Sequence, residues 1–138
     1  MPYRQRERSE GEVYHVTMRG TGRQLIFEDA KDRERFLEVL ARETSENDAE
    51  VLAWCLMGNH AHILLHVPLE KMAVIMRELG RTYAMYFNAR HDRVGHLLQG
   101  RYGSVPVKTD AQLLETVRYI HRNPVCFRAV IAANWYDY

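Results

Sequence analysis

Apolar positions along the chain recur with two different periods, and the switches between them mark the elements. VYHVTMR, from Val13 to Arg19, sets Val13, His15 and Thr17 against Tyr14, Val16 and Met18, the alternation of a strand rich in β-branched and aromatic residues. GTGR breaks it, and Leu25 to Phe27 predicts a brief extension of the sheet. Asp29 caps a helix reaching about Ser45, with Phe36, Leu37, Val39 and Leu40 as its apolar stripe. Glu50 to Met57 and His60 to Val67 are apolar runs of strand length joined by Gly58-Asn59, which predicts an antiparallel hairpin. Pro68 opens a second helix to about Ala89, in which Met72, Ile75, Met76, Leu79, Tyr83 and Tyr86 recur at helical spacing. Residues 90 to 108 carry Gly95, Gly100, Gly103 and Pro106 and predict two short strands or a looped hairpin. Thr109 and Gln112 form a capping box that starts a third helix through about Asn123, where Pro124 stops it. Ile131 to Tyr138 stays unassigned.

A β-α-β-β-α-β order is that of the ferredoxin-like split βαβ fold, an α+β architecture in which an antiparallel sheet carries helices mainly on one face. With 138 residues, 46% of them hydrophobic and 27% charged, the chain suits a single domain over 1–138, without repeat or linker. The formal net charge of +1, from 19 basic and 18 acidic residues, means that any nucleic-acid surface arises from uneven placement of charge. Residues 1–12 read as a flexible arm in which Arg4, Arg6 and Arg8 outweigh Glu7 and Glu10, either solvated or touching phosphate. Cys55 and Cys126 read as buried thiols, for which a reducing cytoplasm is the simplest compartment. The start lacks an apolar signal region and no stretch approaches the ~18 apolar residues of a membrane span, so a cytoplasmic protein is expected.

Candidate chemistry centres on WCLMGNHAHILLH, Trp54 to His66. On a strand His60 and His62 project from one face while Ala61 and Ile63 project from the other. Two imidazoles do not make a metal site, and hydrogen-bonded strand histidines fit the pattern equally well. The third helix alters the balance. At about 100° per residue it gathers Leu113, Leu114, Val117, Ile120 and His121 on one side and sets Tyr119 nearly opposite, with Glu115 and Asn123 one turn either way. His60, His62 and the Asn123 amide oxygen are candidate ligands for Mg²⁺ or Mn²⁺, with a phosphate supplying further oxygens and Tyr119 attacking phosphorus to form a phosphotyrosine. Arg90, Arg93, Arg101, Tyr102 and Lys108 are candidate contacts to single-stranded DNA, cations for the backbone and an aromatic ring for base stacking. His66 shares the parity of His60 and His62 but lies far along the strand and reads as structural.

GEVYHVTMRG, WCLMGNHAHILLH, HLLQGRYGSVPV and RYIHRNPV, in that order between Gly11 and Val125, resemble the REP-associated tyrosine transposases, in the single-tyrosine branch of the HUH endonucleases. The resemblance implies that the histidine, hydrophobic residue, histidine motif is His60-Ala61-His62, with a small middle residue, that the nucleophile is Tyr119 and that the helical polar ligand is Asn123. It further implies cleavage of single-stranded DNA beside hairpins such as REP-like palindromes, leaving a 5′-phosphotyrosine and a free 3′-OH, and rejoining by the reverse attack. A divalent ion is the cofactor expected to suffice, and a monomer or a homodimer the expected active unit. Relatives usually continue past NWYDY, which implies a C-terminal segment truncated or lost. Two other readings stand beside this one: a DNA-binding protein that keeps the fold without cutting, and a histidine-triad nucleotide hydrolase, whose third strand histidine is here Leu64.

Overall fold

Both backbone edges of β1 (Val13–Arg19) are used. It pairs antiparallel with β3 (His60–His66) on one side and with β4 (Gly103–Val107) on the other. On its far edge β3 pairs with β2 (Glu50–Met57), which in turn carries the two-residue β5 (Phe127–Arg128). The resulting antiparallel sheet has the order β4-β1-β3-β2-β5, and its first four strands follow the split βαβ pattern. Three helices connect them: α1 (Ala30–Glu46), α2 (Leu69–Arg90) and α3 (Asp110–Arg122). This computed structural model describes residues 9–122 and 127–128.

Strand alternation divides the side chains between two faces. Tyr14, Val16 and Met18 of β1 stand opposite Leu65, Ile63 and Ala61 of β3, and this face is buried under Phe36, Val39 and Leu40 of α1 and Met72, Ile75, Leu79, Tyr83 and Phe87 of α2. The opposite face has a smaller apolar patch, Ala53, Cys55, Leu64 and Val107, on which Leu113 and Val117 of α3 rest. Two helices therefore cover one face, as expected, and α3 occupies the other.

Several local expectations change. Leu25 to Phe27 forms no strand; the N–H groups of Ile26 and Phe27 both donate to the Gly58 carbonyl, at 2.8 and 3.1 Å, so this segment clasps the hairpin turn instead. Residues 90–108 yield the single strand β4 plus one bridge, Gly20 to Leu98, because the glycines take positive φ at Gly95 and Gly100 and interrupt pairing. The β5 segment was not expected at all. Cys55 is disulfide-bonded rather than a thiol, in the strand that β5 pairs with; Cys126 lies outside the described residues. Ser9 to Glu12, expected within the arm, is anchored: buried Ser9 donates through Oγ to the Val107 carbonyl at 2.9 Å, and the Val67 N–H donates to the Glu12 carbonyl at 2.8 Å. The rest of the arm, Ile131 to Tyr138 and the question of a further C-terminal segment lie outside the described residues. Among the described residues no helix is long and apolar enough to cross a membrane.

The helix layer is tied by an ionic cluster on Asp32, whose side chain is fully buried. Its carboxylate accepts from the Glu28 N–H at 2.9 Å, the Tyr86 hydroxyl at 2.8 Å, Arg90 at 2.7 Å and His91 at 2.9 Å. Burial pushes the Asp32 pKa up, but these donors outweigh burial and hold it below the ordinary range. Arg90 also grips both oxygens of Asp29, the α1 cap, at 2.6 and 2.7 Å. Removing Asp32 leaves Arg90 and His91 without their shared acceptor. Asp32→Ala is expected to cost about 3 kcal/mol in urea unfolding; a loss below about 0.5 kcal/mol, the level of an ordinary surface change, would show that the cluster is dispensable.

Candidate active site on the α3 face

Thr17 stands opposite His62 in the β1–β3 register, Arg19 opposite His60, and His15 lies on the same face of β1 two residues before Thr17. Three imidazoles and a guanidinium thus share one patch, on the face that α3 covers. The ring centroids of His60 and His62 are 4.9 Å apart and nearly perpendicular, and those of His15 and His62 are 5.0 Å apart. His62 is buried, and its Nδ1 lies 2.9 Å from His15 Nε2 and 3.4 Å from the Thr17 hydroxyl. His60 Nδ1 lies 2.7 Å from the Asn59 side-chain oxygen. An amide oxygen only accepts, so His60 donates through Nδ1 and its lone pair is at Nε2.

The capping box forms nearly as expected. The Gln112 N–H donates to Thr109 Oγ1 at 3.1 Å, and Gln112 Oε1 accepts from the Lys108 N–H at 2.6 Å, one residue earlier than the box requires. Leu113 and Val117 of the expected stripe pack, joined by half-buried Thr116, whereas Leu114 is 54% exposed because the apolar patch beneath α3 is small and lies toward β4 and β2; the Ile120 and His121 side chains lie outside the described residues. Tyr119 consequently flanks the packing face instead of opposing it. Its ring stands edge-on to His62, centroids 5.5 Å apart at 88°, while 52% of the residue is exposed. A phenol beside the histidine patch and open to solvent can meet a large substrate there.

Burial lowers the pKa of all three imidazoles. For His62 burial is the largest cause, followed by His15, His60 and Arg19, and the value falls to about 4. His60 is lowered by burial and then by Arg19, and His15 by burial. Neutral imidazoles are the form that ligates a cation. His60 and His62 fit two positions of a divalent-ion site, since each engages Nδ1 within the protein and can present Nε2. Among the described residues no cluster of three His, Cys, Asp or Glu side chains is arranged to hold an ion, and Asn123, the expected third ligand, lies outside them.

The candidate DNA contacts do not form one surface. Arg90 is held by Asp29 and Asp32. Arg93 braces its own loop, donating to Asn88 Oδ1 and the carbonyls of Gly95 and His96. Lys108 follows Val107, which pairs with Val13 at the end of the sheet away from His60. Arg101 and Tyr102 precede Gly103, the partner of Thr17, and so lie at the histidine end, where they line a cavity of about 760 Å³ with Met18, Gly80 and Leu98. His66 sits at the far end, 3.5 Å from Glu50. His15 and Arg19 were missed from sequence, although their alternation with Tyr14, Val16 and Met18 was visible.

The sequence model of IS200-like transposases matches residues 10–123. The chain belongs to the IS200-like transposase family. Two solved structures share its fold. A REP-associated tyrosine transposase bound to a REP hairpin superposes with a TM-score of 0.70 at 17% identity, over 91% of this chain and 73% of that one. A putative transposase from Deinococcus radiodurans R1 gives 0.58 at 17% identity, over 87% and 96%. No curated protein matches the sequence. Membership in the IS200-like family supports DNA binding and transposition for this chain.

The lowered imidazole pKa values set a pH window for stability. Between the ordinary imidazole value of 6.5 and about 4 the unfolded chain takes up a proton that folded His62 refuses, so the His62 contribution is full above 6.5 and is lost as pH falls toward 4. Metal-free protein should therefore lose Tm from pH 7 to pH 4.5, and His62→Gln should flatten that slope. Equal slopes for the two proteins would show that His62 titrates normally.

Proposed function

We propose that this IS200-like transposase cuts and rejoins single-stranded DNA at hairpin-bearing sites through a tyrosine-linked intermediate. The observation that carries the reading is Tyr119 standing edge-on to His62 in the same chain, 52% exposed beside two strand-borne imidazoles. The solved neighbour's REP hairpin suggests the class of DNA.

In this mechanism Arg19 and Arg101 draw the phosphate backbone to the histidine end of the sheet. His60 and His62, with Asn123 as third ligand, would hold Mg²⁺ or Mn²⁺, which would supply polarisation of a phosphoryl oxygen. The Tyr119 oxygen attacks phosphorus and forms a P–O bond to the 5′ side, while the bond to the 3′ oxygen breaks. The phenolic proton is lost and the departing 3′ oxygen gains one. Because the phosphotyrosine retains a phosphodiester, a 3′-OH can attack it in reverse and regenerate the phenol, so rejoining requires no nucleotide cofactor.

Incubation with hairpin-bearing single-stranded DNA and Mn²⁺ should give a covalent adduct on a denaturing gel that Tyr119→Phe abolishes. An adduct persisting in that variant would remove Tyr119 from the role, and binding without any adduct from the parent chain would favour the non-cleaving reading. His60→Ala combined with His62→Ala should eliminate cleavage while leaving DNA affinity within about threefold. Arg19→Ala should weaken binding across sequences and reduce the slope of log affinity against log salt by about 0.7, the value for one single-strand phosphate contact. An unchanged slope would place Arg19 off the DNA path.

A further inference from the structure

His15 takes no part in the chemistry proposed above, yet it makes the shortest polar contact to His62. We propose that His15 is the positioning residue of the site: it accepts a hydrogen bond from His62 Nδ1–H and thereby fixes the tautomer in which His62 Nε2 carries the lone pair. This inference rests on the reading of His60 and His62 as ligands.

A ring nitrogen facing another ring nitrogen at 2.9 Å leaves two neutral arrangements. If His15 Nε2–H donates, His62 must protonate Nε2, which then cannot ligate a cation. If His62 Nδ1–H donates, His62 Nε2 is available and His15 carries its own proton on Nδ1. The two histidines are therefore coupled, and one tautomer of His15 alone is compatible with a working site. His60 supplies an internal comparison, since Asn59 Oδ1 accepts from its Nδ1 and imposes the same outcome on it. Ligating histidines in general hold their second nitrogen on a carboxylate, carbonyl or water; here one histidine uses an amide and the other a second imidazole. The Thr17 hydroxyl, at 3.4 Å, lies near the limit of hydrogen bonding and is the weaker acceptor. The geometry also constrains the His62 ring, because its hydrogen bond to His15 on β1 crosses the β1–β3 pairing and limits rotation about the side-chain bonds.

The test uses two readouts that do not require DNA cleavage. In the metal-free wild-type protein at pH 7, imidazole ¹⁵N shifts should show His62 Nδ1 as the protonated nitrogen and His15 Nε2 as the unprotonated one; the reverse assignment overturns the proposal. Mn²⁺ binding followed by electron paramagnetic resonance should weaken about tenfold or more in His15→Phe, the range typical of lost outer partners, and recover in His15→Gln, whose amide oxygen reaches the same place. Binding by His15→Phe equal to wild type refutes the positioning role while leaving the ligand assignment intact. Wild-type binding by the His60→Ala, His62→Ala double variant refutes the ligand assignment itself. Should His15→Phe fail to fold, the wild-type nitrogen shifts still decide the question.

Discussion

The register between β1 and β3 is the constraint on which everything at the site depends. Thr17 opposite His62 and Arg19 opposite His60 follow from the same alignment that sets Tyr14 against Leu65 and Val16 against Ile63. A slip of one residue would turn His60 and His62 into the helix-side core and expose Ala61, Ile63 and Leu65. Those apolar residues are fully buried, and each large one contributes roughly 1.5–3 kcal/mol by burial, so the slipped register is strongly disfavoured. The histidines owe their position to apolar side chains on the other face of the same strands.

α3 occupies its face under different terms. It rests on a small patch through Leu113 and Val117, with Leu114 and Tyr119 largely exposed. α1 and α2, by contrast, are locked to one another by buried Asp32 and by Phe36, Tyr83 and Phe87. The molecule thus divides labour between faces: the rigid layer holds strand geometry, and the lightly packed helix carries the exposed tyrosine. Elements that meet large substrates are commonly drawn from the less stable parts of a fold.

Much of this was legible in sequence because period and punctuation are local. Alternation in β1, the Gly58-Asn59 turn, the Asp29 cap and the Thr109–Gln112 box each rest on neighbouring residues, and each formed, the box with its return bond shifted to Lys108. Properties that depend on which strands become neighbours were harder to see. The split βαβ order implied β1 beside β3, but the step from that order to a His15–His62 contact needs the register. Arg90 read as a free cation because nothing local marks Asp29 and Asp32 as its partners across the helix layer. Leu113 and Val117 pack as their spacing implied, but Leu114 does not, since the helical wheel says nothing about how small the surface beneath it is. Cys55 read as a thiol for a similar reason, as disulfide formation depends on tertiary proximity.

The electrostatics of the α3 face fit a phosphate substrate better than a resident cluster of charge. Asp29 and Asp32 are committed to Arg90 on the helix side, while the histidine patch has neutral rings beside Arg19. Two imidazoles and an amide, the ligand set proposed here, bring no negative charge to a bound cation. Carboxylate ligands would neutralise much of the ion and weaken its pull on a phosphoryl oxygen. Neutral ligands leave that pull intact, at the expense of weaker retention of the ion in the absence of DNA. Each phosphate that entered would supply the missing negative charge, so under the proposed function ion and DNA would strengthen one another's binding by the same free energy, as linkage requires. On the proposed reading, a face of uncharged ligands beside Arg19 would therefore assemble its cation when the DNA strand is in place.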